Sequence, residues 1–336
     1  MEVMEQTGVK RVLVTGGTGF VGSHLVELLL RKGYAVSCLV RDARKLRWLT
    51  GLNVEIVVGD CSQPETLVPA VRNASAVFHV AGLTKARKVR DYYTVNHIGT
   101  KNILEACARE NPGMKKFVLI SSLAAAGPSR DGTPVKDSDV PRPVSDYGKS
   151  KLLAEEATLR YKDAFPVVVL RPSAVYGPRD RDMYELFRWA VHGITLELFG
   201  GERYINPCYV EDLAAAILLA AEKSTRSGSI YFVAENSAYS WSAFRQALLA
   251  TGGVNAFNIK IPYALAYVIG FVSEIGGLVT SQPALTNRQK VREAAQQYWT
   301  CDLSKTENEL GFKALFPLVR GLTVTWKWYR ANNWLP

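Results

Sequence analysis

The chain has 336 residues, 48% of them hydrophobic, enough to bury a substantial core, and this composition excludes a disordered chain. Its net charge of +10 comes from 41 basic residues set against 31 acidic ones spread along the whole length, which argues against a nucleic-acid-binding stripe and for local binding of anionic ligands. Five cysteines, Cys38, Cys61, Cys107, Cys208 and Cys301, stand without metal-ligand spacing, as the buried free thiols of a reducing cytoplasm would, and the polar residues 1–10 show no signal peptide.

Apolar runs of strand length alternate with amphipathic helical stretches through the first half. Residues 11–15, 35–40, 54–58, 76–80, 116–121 and 167–171 read as strands of a mostly parallel sheet. Helices are expected between them: one through 25–30 that stops at Gly33, and two longer ones at 91–109 and 147–161. Right-handed crossovers turn this alternation into a Rossmann-like, doubly wound α/β fold. Beyond Arg171 the rhythm changes to loops rich in Gly, Pro and Arg, then a helix at 211–222 and a strand at 229–233. Residues 241–336 read as chiefly helical, with Ser304-Lys305-Thr306-Glu307 as a capping box. The stretch 261–280 has the length of a membrane span, but Pro262, Glu274 and several glycines interrupt it, so a buried or pocket-lining helix is expected.

Thr15-Gly16-Gly17-Thr18-Gly19-Phe20-Val21-Gly22 directly follows the first strand and opens the first helix. Gly16, Gly19 and Gly22 permit a tight turn, close approach of a pyrophosphate to the backbone and close packing of helix on strand. Thr18, Phe20 and Val21 share that turn and join the glycines as candidate cofactor contacts. At the end of the second strand stand Arg41 and Asp42, with Arg44, Lys45 and Arg47 following. Arginine suits a ribose 2′-phosphate, so NADP(H) is favoured, while Asp42 keeps NAD(H) open. Asp60, with Cys61 beside it, ends the third strand, where it can meet the adenine edge or cap a helix before Pro64. The predicted organisation is interleaved: 1–172 with about 208–234 forms the dinucleotide-binding domain, and about 173–207 with 235–336 forms a smaller, mainly helical substrate lobe.

In Tyr147-Gly148-Lys149-Ser150-Lys151 the tyrosine and the last lysine are four apart and share one helix face. The ammonium can then lower the phenol's pKa from its usual value of about 10 and make a proton donor for carbonyl chemistry. In a chain of this composition about one such spacing is expected by chance, so its context decides.

That context resembles the extended short-chain dehydrogenase/reductase family, also called the NAD-dependent epimerase/dehydratase family. Besides the glycine turn and Tyr147 to Lys151, the resemblance rests on Gly59-Asp60, His79-Val80-Ala81-Gly82, residues 96–100, Ser121-Ser122, Arg171-Pro172, Val175-Tyr176-Gly177-Pro178, Val210-Glu211-Asp212 and residues 305–311. It implies that Tyr147 is the general acid/base, that Lys151 lowers its pKa and binds the nicotinamide ribose, and that Ser122 hydrogen-bonds the substrate oxygen. Ala81, Gly82, Pro172 and Val175 would contact the cofactor. Ser121 competes with Ser122, but the 25-residue separation from Ser122 to Tyr147 matches the family better. His79 and His97 fall in motifs that serve fold or cofactor contacts, and neither is assigned to catalysis; no metal site is expected. The helices at 91–109 and 147–161 resemble the pair with which family members form a dimeric four-helix bundle, which implies a homodimer.

Departures from subfamily patterns narrow the reaction. Leu123-Ala124-Ala125 follows Ser122 where sugar-nucleotide 4,6-dehydratases carry an Asp-Glu pair, and Ile205 and Asn206 stand where many nucleotide-sugar epimerases carry Arg-Asp. Arg203 or Arg292 could supply a replacement charge. Val40-Arg41 and the apolar stretch near 261–279 point toward the 3β-hydroxysteroid dehydrogenase and dihydroflavonol reductase branch. The expected function is reversible hydride transfer at a small-molecule secondary alcohol or ketone. A nucleotide-sugar epimerase with retained NAD is the second reading, and a non-catalytic cofactor-binding module, which would usually lack the Tyr/Lys pair, is the third.

Overall fold

The computed structural model describes residues 10–198, 201–280 and 287–336. Residues 1–9, which carry most of the polar opening segment, lie outside the described residues. Seven strands, β1 (Arg11–Thr15), β2 (Ala35–Val40), β3 (Glu55–Val58), β4 (Ala76–His79), β5 (Lys116–Ile120), β6 (Val167–Pro172) and β7 (Ser229–Val233), form one sheet in the order β7-β6-β5-β4-β1-β2-β3. Every neighbouring pair is parallel.

The strands read as nearly unbroken apolar runs because both faces of the sheet are covered. Val12, Val14, Val118 and Ile120 point to one face, where Leu25, Val26 and Leu29 of helix α1 (Phe20–Arg31) meet Leu213, Ala216 and Ile217 of a helix at Val210–Glu222. Leu13, Phe117 and Leu119 point to the other, against Ile103 and Leu104 of helix α2 and Ala154 and Ala157 of helix α3 (Asp146–Leu159). Helix α2 is a composite, in which Val89–Tyr92 runs through a π turn at Tyr93–Ile98 into Gly99–Glu110. Sheet order reverses between β1 and β4, which opens a crevice beyond the carboxyl ends of those strands.

A second apolar core holds the C-terminal part together around Tyr176, Phe187, Tyr209, Phe244, Leu322 and Trp326. This part is chiefly helical, as the sequence predicts, but it also contains short strands that carry too few residues to show a periodicity. Ile194–Leu198 pairs in parallel with Phe257–Ile261, and Tyr204–Ile205 lies between Tyr239–Ser240 and Tyr298–Trp299.

Two expectations are corrected. The capping box at Ser304 does not form: the Ser304 N–H and hydroxyl both donate to Asp302, at 2.8 and 2.6 Å, so the upstream carboxylate captures the serine that would have capped the turn. The apolar stretch forms helix α4 (Tyr263–Thr280), but its described side chains are mostly exposed, Ala266 excepted, and none of them lines the cleft described below. Leu265, Val268, Ile269, Phe271 and Val272 are exposed there, at 44–60% of their surface. Among the described residues, no helix is long and apolar enough to cross a membrane.

Candidate active site

The turn between β1 and α1 shows why glycine occupies its positions. Gly16 has φ +74°, and a Cβ there would lie 2.7 Å from the Ala81 backbone nitrogen. A Cβ on Gly22 would lie 2.2 Å from the Gly16 carbonyl oxygen. Gly19 caps α1 without any side chain, and no acidic residue follows in the first turn, so the helix start is left to receive an anion. From this turn a cleft of about 1010 Å³ runs across the crevice to Tyr147. Its walls are set by a buried relay: Thr100 donates to the Asn96 carbonyl at 2.6 Å and accepts from His79 Nε2 at 2.9 Å, and His79 Nδ1 accepts from Thr15 Oγ1 at 2.8 Å. Thr15 Oγ1 in turn accepts the Ala81 N–H at 3.2 Å. Burial holds His79 neutral, with its pKa down to about 3, which makes it a strut of the cleft wall.

The cleft collects the candidate residues from separate parts of the chain. Gly16, Thr18, Gly19, Phe20, Val21 and Gly22 line one end. Arg41 from the end of β2, and Asp60 and Cys61 from the end of β3, flank it. Asp60 Oδ1 accepts the N–H and hydroxyl of Ser62, both at 2.8 Å, so the carboxylate does cap its own turn while bordering the cleft. Burial pushes the Cys61 thiol up to about 12. Ala81 and Gly82 line the middle, and a Cβ on Gly82 would lie 3.2 Å from Asn96 Oδ1 and 3.5 Å from Lys151 Nζ. Pro172 and Val175 close the far side.

At the inner end, Ser145 caps α3 by accepting the Gly148 N–H at 3.1 Å and so aims its first turn at the cleft. A Cβ on Gly148 would lie 2.3 Å from the Ala124 carbonyl oxygen, which explains the glycine between Tyr147 and Lys149: the helix packs directly on the turn that follows Ser122. Ser122 accepts the Ala124 N–H at 3.1 Å, and its side chain is close enough to the Tyr147 phenol to favour the phenolate. Ser121 also lines the cleft, but its hydroxyl donates to Glu155, which forms a buried pair with Arg171 at 3.0 and 2.7 Å. Geometry therefore separates the two serines: Ser121 serves the buried ion pair, and Ser122 faces the phenol.

Burial pushes the Tyr147 phenol above its usual range, and the neighbouring Ser122 hydroxyl and the Lys290 cation pull it back. Burial also lowers the Lys151 ammonium to about 8, against the Glu155 carboxylate, which holds it up. Lys151 Nζ donates to the Ile120 carbonyl at 2.5 Å. The arrangement can give a proton to, or take one from, an oxygen held between Ser122 and Tyr147.

Several cleft residues escape a reading of the sequence. Arg179, with φ +74°, lies 4.8 Å over the Trp48 ring and pairs with Glu27 at 2.6 Å. Lys290 reaches the cleft from helix α5 (Arg288–Ala294), 143 positions beyond Tyr147. Arg179 follows a recognisable motif and could have been flagged by its neighbours; nothing near Lys290 in the chain marks it. Asn206, standing where epimerases carry an acid, is buried between the Glu235 carbonyl and the Cys301 N–H, at 3.1 and 3.2 Å, and is occupied in holding the fold. Neither Arg203 nor Arg292 lines the cleft. Among the described residues, no group of three His, Cys, Asp or Glu side chains is placed to hold a metal ion.

The residues present fit a nicotinamide dinucleotide: a glycine cradle at an uncapped helix start, a cleft of about 1010 Å³ and the Ser122 and Tyr147 hydroxyls at its inner end. Comparisons with known proteins agree. The profile of the NAD dependent epimerase/dehydratase family matches residues 12–234. The chain is 31% identical to the ceramide reductase of Caulobacter vibrioides over 97% of this chain and 96% of that protein. It is 28% identical to the human sterol-4-alpha-carboxylate 3-dehydrogenase, decarboxylating, over 94% of this chain and 87% of that one. A solved structure of MoeE5 in complex with UDP-glucose and NAD superposes with a TM-score of 0.78 at 27% identity, covering 96% of this chain and 99% of that one. The chain belongs to the NAD dependent epimerase/dehydratase family and is an NAD(P)-dependent oxidoreductase of the extended short-chain dehydrogenase/reductase type.

Proposed function

We propose that the protein is a reductase or dehydrogenase that exchanges NADP(H) and acts on a secondary alcohol or ketone of an apolar molecule, with Tyr147 as general acid/base. The observation that carries this reading is that Ser122, Tyr147 and Lys151 line the same cleft as the glycine turn. A bound nicotinamide supplies or accepts the hydride. In reduction, Ser122 polarises the substrate carbonyl and Tyr147 gives the proton that completes the alcohol; in oxidation, the phenolate takes the hydroxyl proton. Lys151 binds the nicotinamide ribose.

An apolar substrate is supported by the printed functions of two relatives, a ceramide reductase and a sterol dehydrogenase. The nucleotide-sugar reading loses its main support here, because Ile205 is buried and Asn206 is engaged in the fold. The five cysteines, all free and buried, suit a cytoplasmic setting. The reading carries a homodimer through the outer faces of α2 and α3, which sedimentation of the purified chain tests as a species of twice the chain mass. The decisive experiment is Tyr147→Phe assayed with a panel of apolar ketones and NADPH. Turnover is expected to fall by about 10²–10⁴-fold with NADPH affinity preserved. An unchanged kcat would refute the assignment.

A further inference from the structure

Helix α5 lies far from α3 in the chain, yet it sits on the first turn of that helix through three successive residues. Ser145, the cap, donates its hydroxyl to Glu293. The Asp146 N–H donates to Gln289 Oε1 at 2.7 Å. The Lys290 ammonium lies over the Tyr147 ring, 5.5 Å from its centroid, and pairs with Glu293 at 3.3 Å. Lys290 also borders the cleft. The other lysine of the site is oriented elsewhere, with its ammonium donating to the Ile120 carbonyl.

We propose that Lys290 is a positioning residue for proton transfer: held by Glu293 over the Tyr147 ring, its ammonium sets the acidity of the phenol from the C-terminal lobe. The proposal rests on the reading of Tyr147 as general acid/base. A cation this close favours the phenolate, and its counter-carboxylate works against it. The groups that face Tyr147 are Ser122 from the turn after β5, Tyr92 from α2 with ring centroids 6.1 Å apart, and Lys290 and Glu293 from α5. Lys290 also feels Asp182, which pairs with Lys85 at 2.7 Å. Ser122 and Lys290 draw the phenol toward ionisation, whereas Glu293 and Tyr92 oppose it.

Opposite charges on one helix give the proposal a test that a packing role cannot imitate. Lys290→Gln removes the cation and raises the phenol's pKa. Glu293→Gln keeps an acceptor for Ser145, leaves Lys290 unopposed and lowers it. In alcohol oxidation Tyr147 acts as base, so the rate rises with pH through that pKa. The experiment measures the kcat/KM pH profile of oxidation, together with ultraviolet tyrosinate titration referenced to the same protein carrying Tyr147→Phe. NADP(H) affinity serves as the folding check. Lys290→Gln is expected to move the rising limb to higher pH by about half to one unit, Glu293→Gln to lower pH, and Lys290→Arg to leave it near wild type. No movement in Lys290→Gln, or movement of both Gln variants in the same direction, overturns the inference. Full turnover of Tyr147→Phe would overturn the catalytic reading instead, and the titration tells the two failures apart because it reports phenol ionisation without substrate.

Discussion

Adjacent residues of opposite charge end β2, and their surroundings divide the work between them. The Asp42 carboxylate takes both the Nε and Nη2 donors of Arg44, at 3.0 and 3.1 Å, and pairs with Lys45 at 3.6 Å. An acid so occupied is poorly placed to hold a ribose 2′-hydroxyl, while Arg41 is an exposed residue that borders the cleft. A 2′-phosphate would gain a charge-assisted contact there that a bare ribose cannot make. Arg41→Ala is therefore expected to weaken NADPH binding by about tenfold or more and NADH by less than about twofold, as read by fluorescence titration of each cofactor. Equal losses for both would remove the 2′-phosphate role. The arginine itself is visible in the sequence, next to an acid that argues the other way. That Arg44 and Lys45 close on Asp42 is not visible there, because side-chain pairing in a loop leaves no periodic trace.

Helix α2 shows where pattern reading stops at the level of an element. Its existence follows from its amphipathic spacing, but the π turn at Tyr93–Ile98 follows from what it must touch. The wider turn carries Asn96 toward the loop after β4, where its Oδ1 accepts the Leu83 N–H at 2.7 Å. Its Nδ2 donates to the Leu83 carbonyl at 3.1 Å and to Ser150 of α3 at 2.9 Å. One buried amide thus ties the loop after β4 to helix α3. Asn96→Ala leaves both Leu83 backbone groups without that partner, at a cost of about 2 kcal/mol or more. A thermal melt is expected to show a fall of a few degrees, with NADPH affinity reduced because Gly82 adjoins the loosened loop; an unchanged melting temperature would contradict this role. Helix α4 fails in the opposite way. Its apolar content was legible, but hydrophobicity gives no partner, and the structure turns that face outward rather than into the cleft.

Across the whole molecule, what the sequence shows well is what is buried on both sides or forced by backbone geometry: the seven strands, the glycine turn, and the order of motifs along one crevice. What it hides is long-range docking, such as α5 on α3, and the electrostatics that docking creates. Those electrostatics also make overall stability depend on pH. Burial, above the Pro178 carbonyl that His24 Nε2 meets at 2.9 Å, takes His24 down to about 4, and His79 stands near 3. Both native pKa values lie below the unfolded value of about 6.5, so the unfolded chain binds two more protons than the native one near pH 5. This contribution is complete above pH 6.5 and is lost as pH falls toward the native values. Asp180 works the other way, because burial raises it to about 7 and the native state keeps a proton that the unfolded state has released. Subtracting it leaves somewhat less than one proton from these three groups, so together they make stability rise by about 1 kcal/mol per pH unit between pH 5 and 6. In His24→Gln the amide can still donate to Pro178, but the proton uptake on unfolding is gone. Urea unfolding of wild type and variant at several pH values in this window is expected to give a slope lower by about one proton in His24→Gln; parallel slopes would mean that His24 titrates normally in the folded protein.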